Sequence, residues 1–146
     1  MEDFRNFFVN HLKGLASRLM ANPRRWYHKK KARNCNKENV SIICNNCTGG
    51  IILHDLGLKF NTPTINTLFY SADDFIFFVL NIRAFSKSDI FRVVDPNYSY
   101  PIGGMKFGSR VIKVGFVHYS TFEEAKSKWI ERFSRLDFDN MIILWE

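Results

Sequence analysis

Cys44-Asn45-Asn46-Cys47-Thr48-Gly49-Gly50 gathers two thiols, two carboxamides, a hydroxyl and two glycines into seven residues. It follows the apolar run Val40-Ser41-Ile42-Ile43, and an apolar pattern resumes at Ile51-Ile52. A β-branched run that stops in polar residues and passes through glycine into a second apolar pattern describes a buried strand feeding a loop and then a helix. Three chemistries fit this stretch. As a Cys-x-x-Cys at a strand-to-helix junction, Cys44 and Cys47 resemble a dithiol redox pair, because backbone N–H groups at a helix start lower a thiol pKa. Together with Cys35 and His54 the same thiols would make a metal set, but no second closely spaced pair completes it. In the third chemistry, Asn45 and Asn46 offer amide donors, Thr48 offers a hydroxyl, and Gly49-Gly50 let backbone approach a ligand closely. That suits a diphosphate or carboxylate at a helix N-terminus. The stretch has neither the Gly-x-x-x-x-Gly-Lys nor the Gly-x-Gly-x-x-Gly spacing of nucleotide-binding loops. The bland alternative is a tight corner whose asparagines cap the helix. On these residues alone the plain corner stands slightly ahead of the anion-binding turn, with Cys44 packed inward, Cys47 kept as a candidate nucleophile, and no metal site.

His118-Tyr119 closes a second clear strand. If the strands run parallel, both strand ends open on one edge, where open α/β sheets bind ligands. His118 then serves as general base, or pairs with Cys47 as base and nucleophile, and Tyr119 lines the ligand. Asp73-Asp74 and Glu123-Glu124 look like carboxylate pairs. Both fall at helix first turns, so they are read as caps and dipole partners instead.

The elements that must position these groups follow from periodicity. Residues 3–21 place Phe4, Phe7, Phe8, Leu12, Leu15, Leu19 and Met20 on one helical stripe, which Pro23 ends. Residues 51–56 suit a helix closed by Gly57. Ser71 is the expected N-cap of a helix running from Ala72 to about Phe85, apolar on most sides and therefore buried. Residues 86–110 are irregular, with turn signals at Asp95-Pro96-Asn97, Pro101-Ile102-Gly103-Gly104 and Gly108. Residues 111–119 form a strand, Ser120 or Thr121 caps the next helix, and residues 141–145 form a third strand. Alternating strands and helices predict an α/β fold, a Rossmann-like layered sheet of mainly parallel strands flanked by helices.

Composition bounds the rest. A chain of 146 residues with 15 Phe, 5 Tyr and 3 Trp can bury a sizeable core. The net charge of +7 lies wholly in residues 1–36, where nine Lys/Arg face two acidic residues, while residues 37–146 are neutral. Two parts are therefore expected, a basic amphipathic helix and linker over 1–36 and an α/β domain over 37–146. The apolar stripe and the basic run 24–33 suit an anionic membrane surface contacted by residues 4–33, against the plainer reading of a docking helix and a solvated linker. Nucleic acid is not expected, because the body carries no net charge. Three cysteines and no apolar run near the roughly 20 residues of a membrane span fit a cytoplasmic protein, peripheral at most at the inner face of the membrane.

Several phrases, in order, resemble a bacterial family of exopolysaccharide and capsular polysaccharide biosynthesis proteins carrying a domain of unknown function. They are residues 41–50, Leu56-Gly57-Leu58, Asn61-Thr62-Pro63-Thr64, Tyr100-Pro101-Ile102-Gly103, His118-Tyr119, Glu123-Glu124-Ala125 with Lys128-Trp129, and Asp139-Asn140. The family pattern has Ser where this chain has Cys44 and an aromatic where it has Thr48. Its members run on past the last strand here, so the chain is expected to be shorter than the family. The resemblance implies an α/β fold and a link to surface-glycan assembly, and it turns the expectation for residues 44–50 to the anion-binding turn. The expected function is a transferase using an activated glycosyl or acyl donor, a nucleotide sugar or acyl-coenzyme A, on a glycan or lipid-linked glycan acceptor. Asn45, Asn46, Thr48, Gly49 and Gly50 would bind the donor anion, with Cys47 and His118 catalytic. The alternative is a non-catalytic ligand-binding or assembly component, or an inactive member.

Overall fold

The computed structural model describes residues 40–146 together with Pro23, Trp26, Tyr27 and Lys30. The chain divides into two units, residues 1–37 with 55–58, and residues 38–54 with 59–146. In the first unit, Pro23, Trp26, Tyr27 and Lys30 are helical and exposed, and Lys30 Nζ sits 5.2 Å from the Trp26 ring centroid. The amphipathic stripe expected over residues 3–21 lies outside the described residues, as does most of the basic run.

The second unit contains the sheets. Strand β1 (Ser41–Cys44) leads to helix α1 (Thr48–Leu56), then come β2 (Leu68–Phe69), α2 (Ala72–Leu80) and α3 (Ile82–Phe85). Strands β3 (Ile90–Val93), β4 (Ile102–Phe107) and β5 (Arg110–Gly115) follow, then α4 (Phe122–Phe133) and β6 (Met141–Leu144). Two sheets result. β1 and β6 form a two-stranded parallel pair, and β2-β5-β4-β3 form a four-stranded antiparallel sheet. The fold is α/β with mixed strands, which corrects the Rossmann-like, mainly parallel expectation.

The physical reason lies in connection length. A parallel crossover needs a dozen or more residues, whereas β4 and β5 are joined by only Gly108 and Ser109 between the paired Phe107 and Arg110. Gly108 sits at φ +60, as tight hairpin turns favour. Both β3 and β4 come from residues 86–110, the stretch that reads as turns. Gly103 and Gly104 lie inside β4, paired with Arg92 and Phe91. A Cβ on Gly103 would stand 2.5 Å from Ile90 Cδ1, and one on Gly104 2.6 Å from the Phe91 ring. These glycines make room for neighbouring side chains; they do not turn the chain.

The helix ends behave as their residues dictate. Asp74 N–H donates to Ser71 Oγ at 3.1 Å, and Glu124 N–H donates to Thr121 Oγ1 at 3.2 Å. Gly57 takes φ +67 beyond α1. The helix expected over 72–85 is broken at Asn81, whose side-chain amide donates to Phe77 O at 2.9 Å and competes with the helical ladder. The core is aromatic. Phe78 is fully buried, with ring centroids 5.1 Å from Phe69, 5.4 Å from Phe85, 5.8 Å from Trp129 and 6.1 Å from Phe133, so it joins α2, α3, α4 and β2. The face of α2 bearing Ile76 and Leu80 is exposed, contrary to the expectation of burial all round.

Candidate functional site

At the end of β1 the chain must enter α1 without steric conflict, and the glycines decide how. A Cβ on Gly49 would meet Cys44 Cβ at 3.0 Å and Ile42 Cγ2 at 3.3 Å; one on Gly50 would meet Ile65 Cγ2 at 3.3 Å. The pair therefore lets the first turn of α1 pack directly on β1 and residue 65. Cys44 is buried, its N–H donates to Thr64 Oγ1 at 3.1 Å, and its thiol points at Asn46 Oδ1, 3.2 Å away.

The two asparagines do different things. Asn45 is buried and clips the chain beyond β6: its Nδ2 donates to Glu146 O at 2.9 Å, and Glu146 N–H donates to its Oδ1 at 3.1 Å. Asn46 Oδ1 accepts the Thr48 N–H at 2.9 Å, and its Nδ2 donates to Glu146 Oε2 at 3.2 Å. The Thr48 hydroxyl donates to the same Oε2 in a short contact. A carboxylate is thus already seated at the N-terminus of α1, on the amide and hydroxyl expected to bind an anion. Helix N-termini favour such charge through their unpaired N–H groups and dipole.

These bonds hold the Glu146 carboxyl below its usual 4.5, the Thr48 hydroxyl contributing most and Asn46 next. A carboxyl whose folded-state pKa is depressed contributes stability that is present above the unfolded value and lost as pH falls through the folded one. The Asn46–Thr48–Glu146 link should therefore survive at neutral pH and open only in acid below 4.5. In an NMR titration of the Glu146 side chain the midpoint is expected below 4.5 and should move up in Thr48→Val. A wild-type midpoint at or above that value would overturn the assignment.

The other expected residues make no hydrogen bond to this carboxylate seat among the described residues. Cys47 is half-buried, and burial, then the neighbouring Cys44, push its thiol up. That shift disfavours the thiolate, and no described base hydrogen-bonds its sulfur. His118 is exposed in the turn after β5, on the antiparallel sheet, and makes no bond to the β1 loop among the described residues. β1 and β5 are not parallel strands of one sheet, so the argument that their ends share an edge does not hold. Tyr119 is half-buried; its hydroxyl accepts from Arg132 NH1 at 2.6 Å, and the same nitrogen donates to Ile65 O at 3.1 Å. Burial pushes the Tyr119 phenol up while the Arg132 guanidinium pulls it down.

Comparison with known proteins gives the chain its relatives. Residues 20–146 match the family described as Domain of unknown function (DUF1919). The chain belongs to that family. It is also similar to an uncharacterised protein of Haemophilus influenzae, 31% identical over 136 residues. The alignment covers 93% of this chain and 63% of the relative, so the chain spans under two thirds of that protein's length.

Sequence reasoning about this DUF1919 domain missed two features. Glu146 carried no signal, since its partners lie about a hundred positions away. The second is a cleft of about 420 Å³ lined by Arg92, Asp95, Tyr98, Tyr100, Thr121 and Glu123, among others. Tyr98 stands 5.1 Å from Tyr70 and 5.4 Å from Tyr100, and Gly115 clears space for the last two rings. The Tyr-x-Tyr spacing in an irregular stretch was the available hint. Among the described residues no helix is long and apolar enough to cross a membrane, and no three His, Cys, Asp or Glu cluster as a metal site.

Proposed function

We propose that this protein serves surface-polysaccharide assembly by binding the anionic group of an activated glycosyl or acyl donor at the N-terminus of α1. One observation carries the reading: the Glu146 carboxylate is seated on Asn46 and Thr48, so this pair accepts an anion. A donor diphosphate or carboxylate would take its place, with Glu146 acting as an internal competitor. The polysaccharide part rests on the resemblance of the ordered phrases in residues 41–140. A position at the inner face of the membrane, held by the basic segment 4–33, belongs to the same proposal, as does a glycan or lipid-linked glycan acceptor.

The test is calorimetry with a uridine-diphosphate sugar and an acyl-coenzyme A as probes. Glu146→Ala should tighten binding several-fold by removing the competitor, and Asn46→Ala should weaken it. Equal affinities in all three proteins would sink the site. A non-catalytic binding role is the second reading, favoured by the burial that disfavours a Cys47 thiolate and by the absence of a described hydrogen bond between Cys47 and His118. Transfer requires that Cys47→Ser or His118→Ala stop donor turnover. A binding component holds the donor and leaves it unconsumed in every variant.

A further inference from the structure

The parallel pair β1–β6 is only two strands wide. One edge of β1 is covered: Cys44 N–H is taken by Thr64, Asn45 O by Phe69 N–H, and Ser41 Oγ donates to Asn61 O. Among the described residues the far edge of β6 has no strand beside it. Met141-Ile142-Ile143-Leu144-Trp145 nevertheless has the continuous apolar character of a strand buried on both faces. Ile142 is 47% exposed and Ile143 50%, and successive strand residues face opposite sides, so both faces of β6 are open.

One of these faces continues into a bare helix. Ile143 and Trp145 meet Ala72, Phe75, Ile76, Val79 and Leu80 of α2 around an apolar groove of about 280 Å³. Here Ile76 is 53%, Leu80 76% and Trp145 55% exposed. On the other face Ile142, paired with the buried Ile42, is itself open. A contiguous apolar surface with an open strand edge marks an interaction site.

We infer that the β6 edge with its flanking α2 face docks a further polypeptide segment, an apolar strand laid beside β6 with an amphipathic helix against the α2 side. The Haemophilus influenzae relative points to this occupant. It carries more than a third of its length outside the region this chain matches, enough for a strand and a helix. A β-strand addition of this kind gains main-chain hydrogen bonds from the edge and specificity from the apolar groove beside it.

The probe is the part of that relative which this chain does not match, produced as a separate fragment and added to the full chain. Binding should slow amide exchange across residues 141–145, and Leu80→Glu and Ile143→Glu should each weaken it at least tenfold. Both side chains are already exposed, and circular dichroism on each variant confirms that the fold is kept. No binding, or binding undiminished in both folded variants, overturns the inference. So does a concentration-dependent dimer in the centrifuge that Leu80→Glu abolishes, since the face would then belong to a second copy.

Discussion

Truncating Phe78 to alanine is expected to cost about 3–5 kcal/mol, a large share of the roughly 5–15 kcal/mol that holds an ordinary domain folded. The side chain is fully buried and packs against four aromatic rings, one on β2, one on α3 and two on α4. Removing it takes away the transfer term and leaves a cavity that four stiff rings cannot collapse to fill. Edge-to-face and tilted aromatic pairs add to the loss. Urea unfolding followed by tryptophan fluorescence should show the midpoint falling sharply. A loss under about 1 kcal/mol would mean the core does not converge on this residue.

Gly103→Val provides the second large effect, and its sign discriminates between two arguments. By strand propensity alone, valine for glycine inside β4 should stabilise the sheet by up to about 1 kcal/mol. Packing predicts the opposite. The first added carbon would stand 2.5 Å from Ile90 Cδ1 and 2.8 Å from Phe116 Cε2, so the core must yield before the side chain fits. Overpacking of this kind costs about 1–3 kcal/mol, and valine adds two further methyl groups. The variant should unfold at lower denaturant, and adding Ile90→Ala should restore part of the loss. Additive losses in the double variant would show that the two sites do not touch.

Local chemistry was readable from the chain. Ser71, Thr121 and Gly57 each act within one helical turn, and all three behave as their residue types require. The β1-to-α1 corner and the strands near 111 and 141 were likewise visible, because a β-branched run announces itself. What escaped were relations between distant residues. Direction in a sheet depends on which strand lies alongside; the two-residue Gly108-Ser109 connection marks β4–β5 as a hairpin, but no local signal announces the β2–β5 or β1–β6 pairings. Gly103 and Gly104 carry the residue type of a turn, yet their meaning comes from Ile90 and Phe91 across the ladder. The same holds at the site. Asn46 and Thr48 proclaim an anion, but the carboxylate that occupies them comes from the far end of the chain.

The Asn45–Glu146 clip also bears on the order in which the molecule assembles. Its partners are 101 residues apart, whereas the β4–β5 hairpin closes around two. Closing a loop of that length costs about 4 kcal/mol of chain entropy by the logarithmic rule, before any contact returns it. The antiparallel sheet can therefore form from its own neighbourhood, while the β1–β6 pairing and the Glu146 clip wait on contacts about a hundred residues apart. Until that clip closes, Asn46 and Thr48 face no internal competitor.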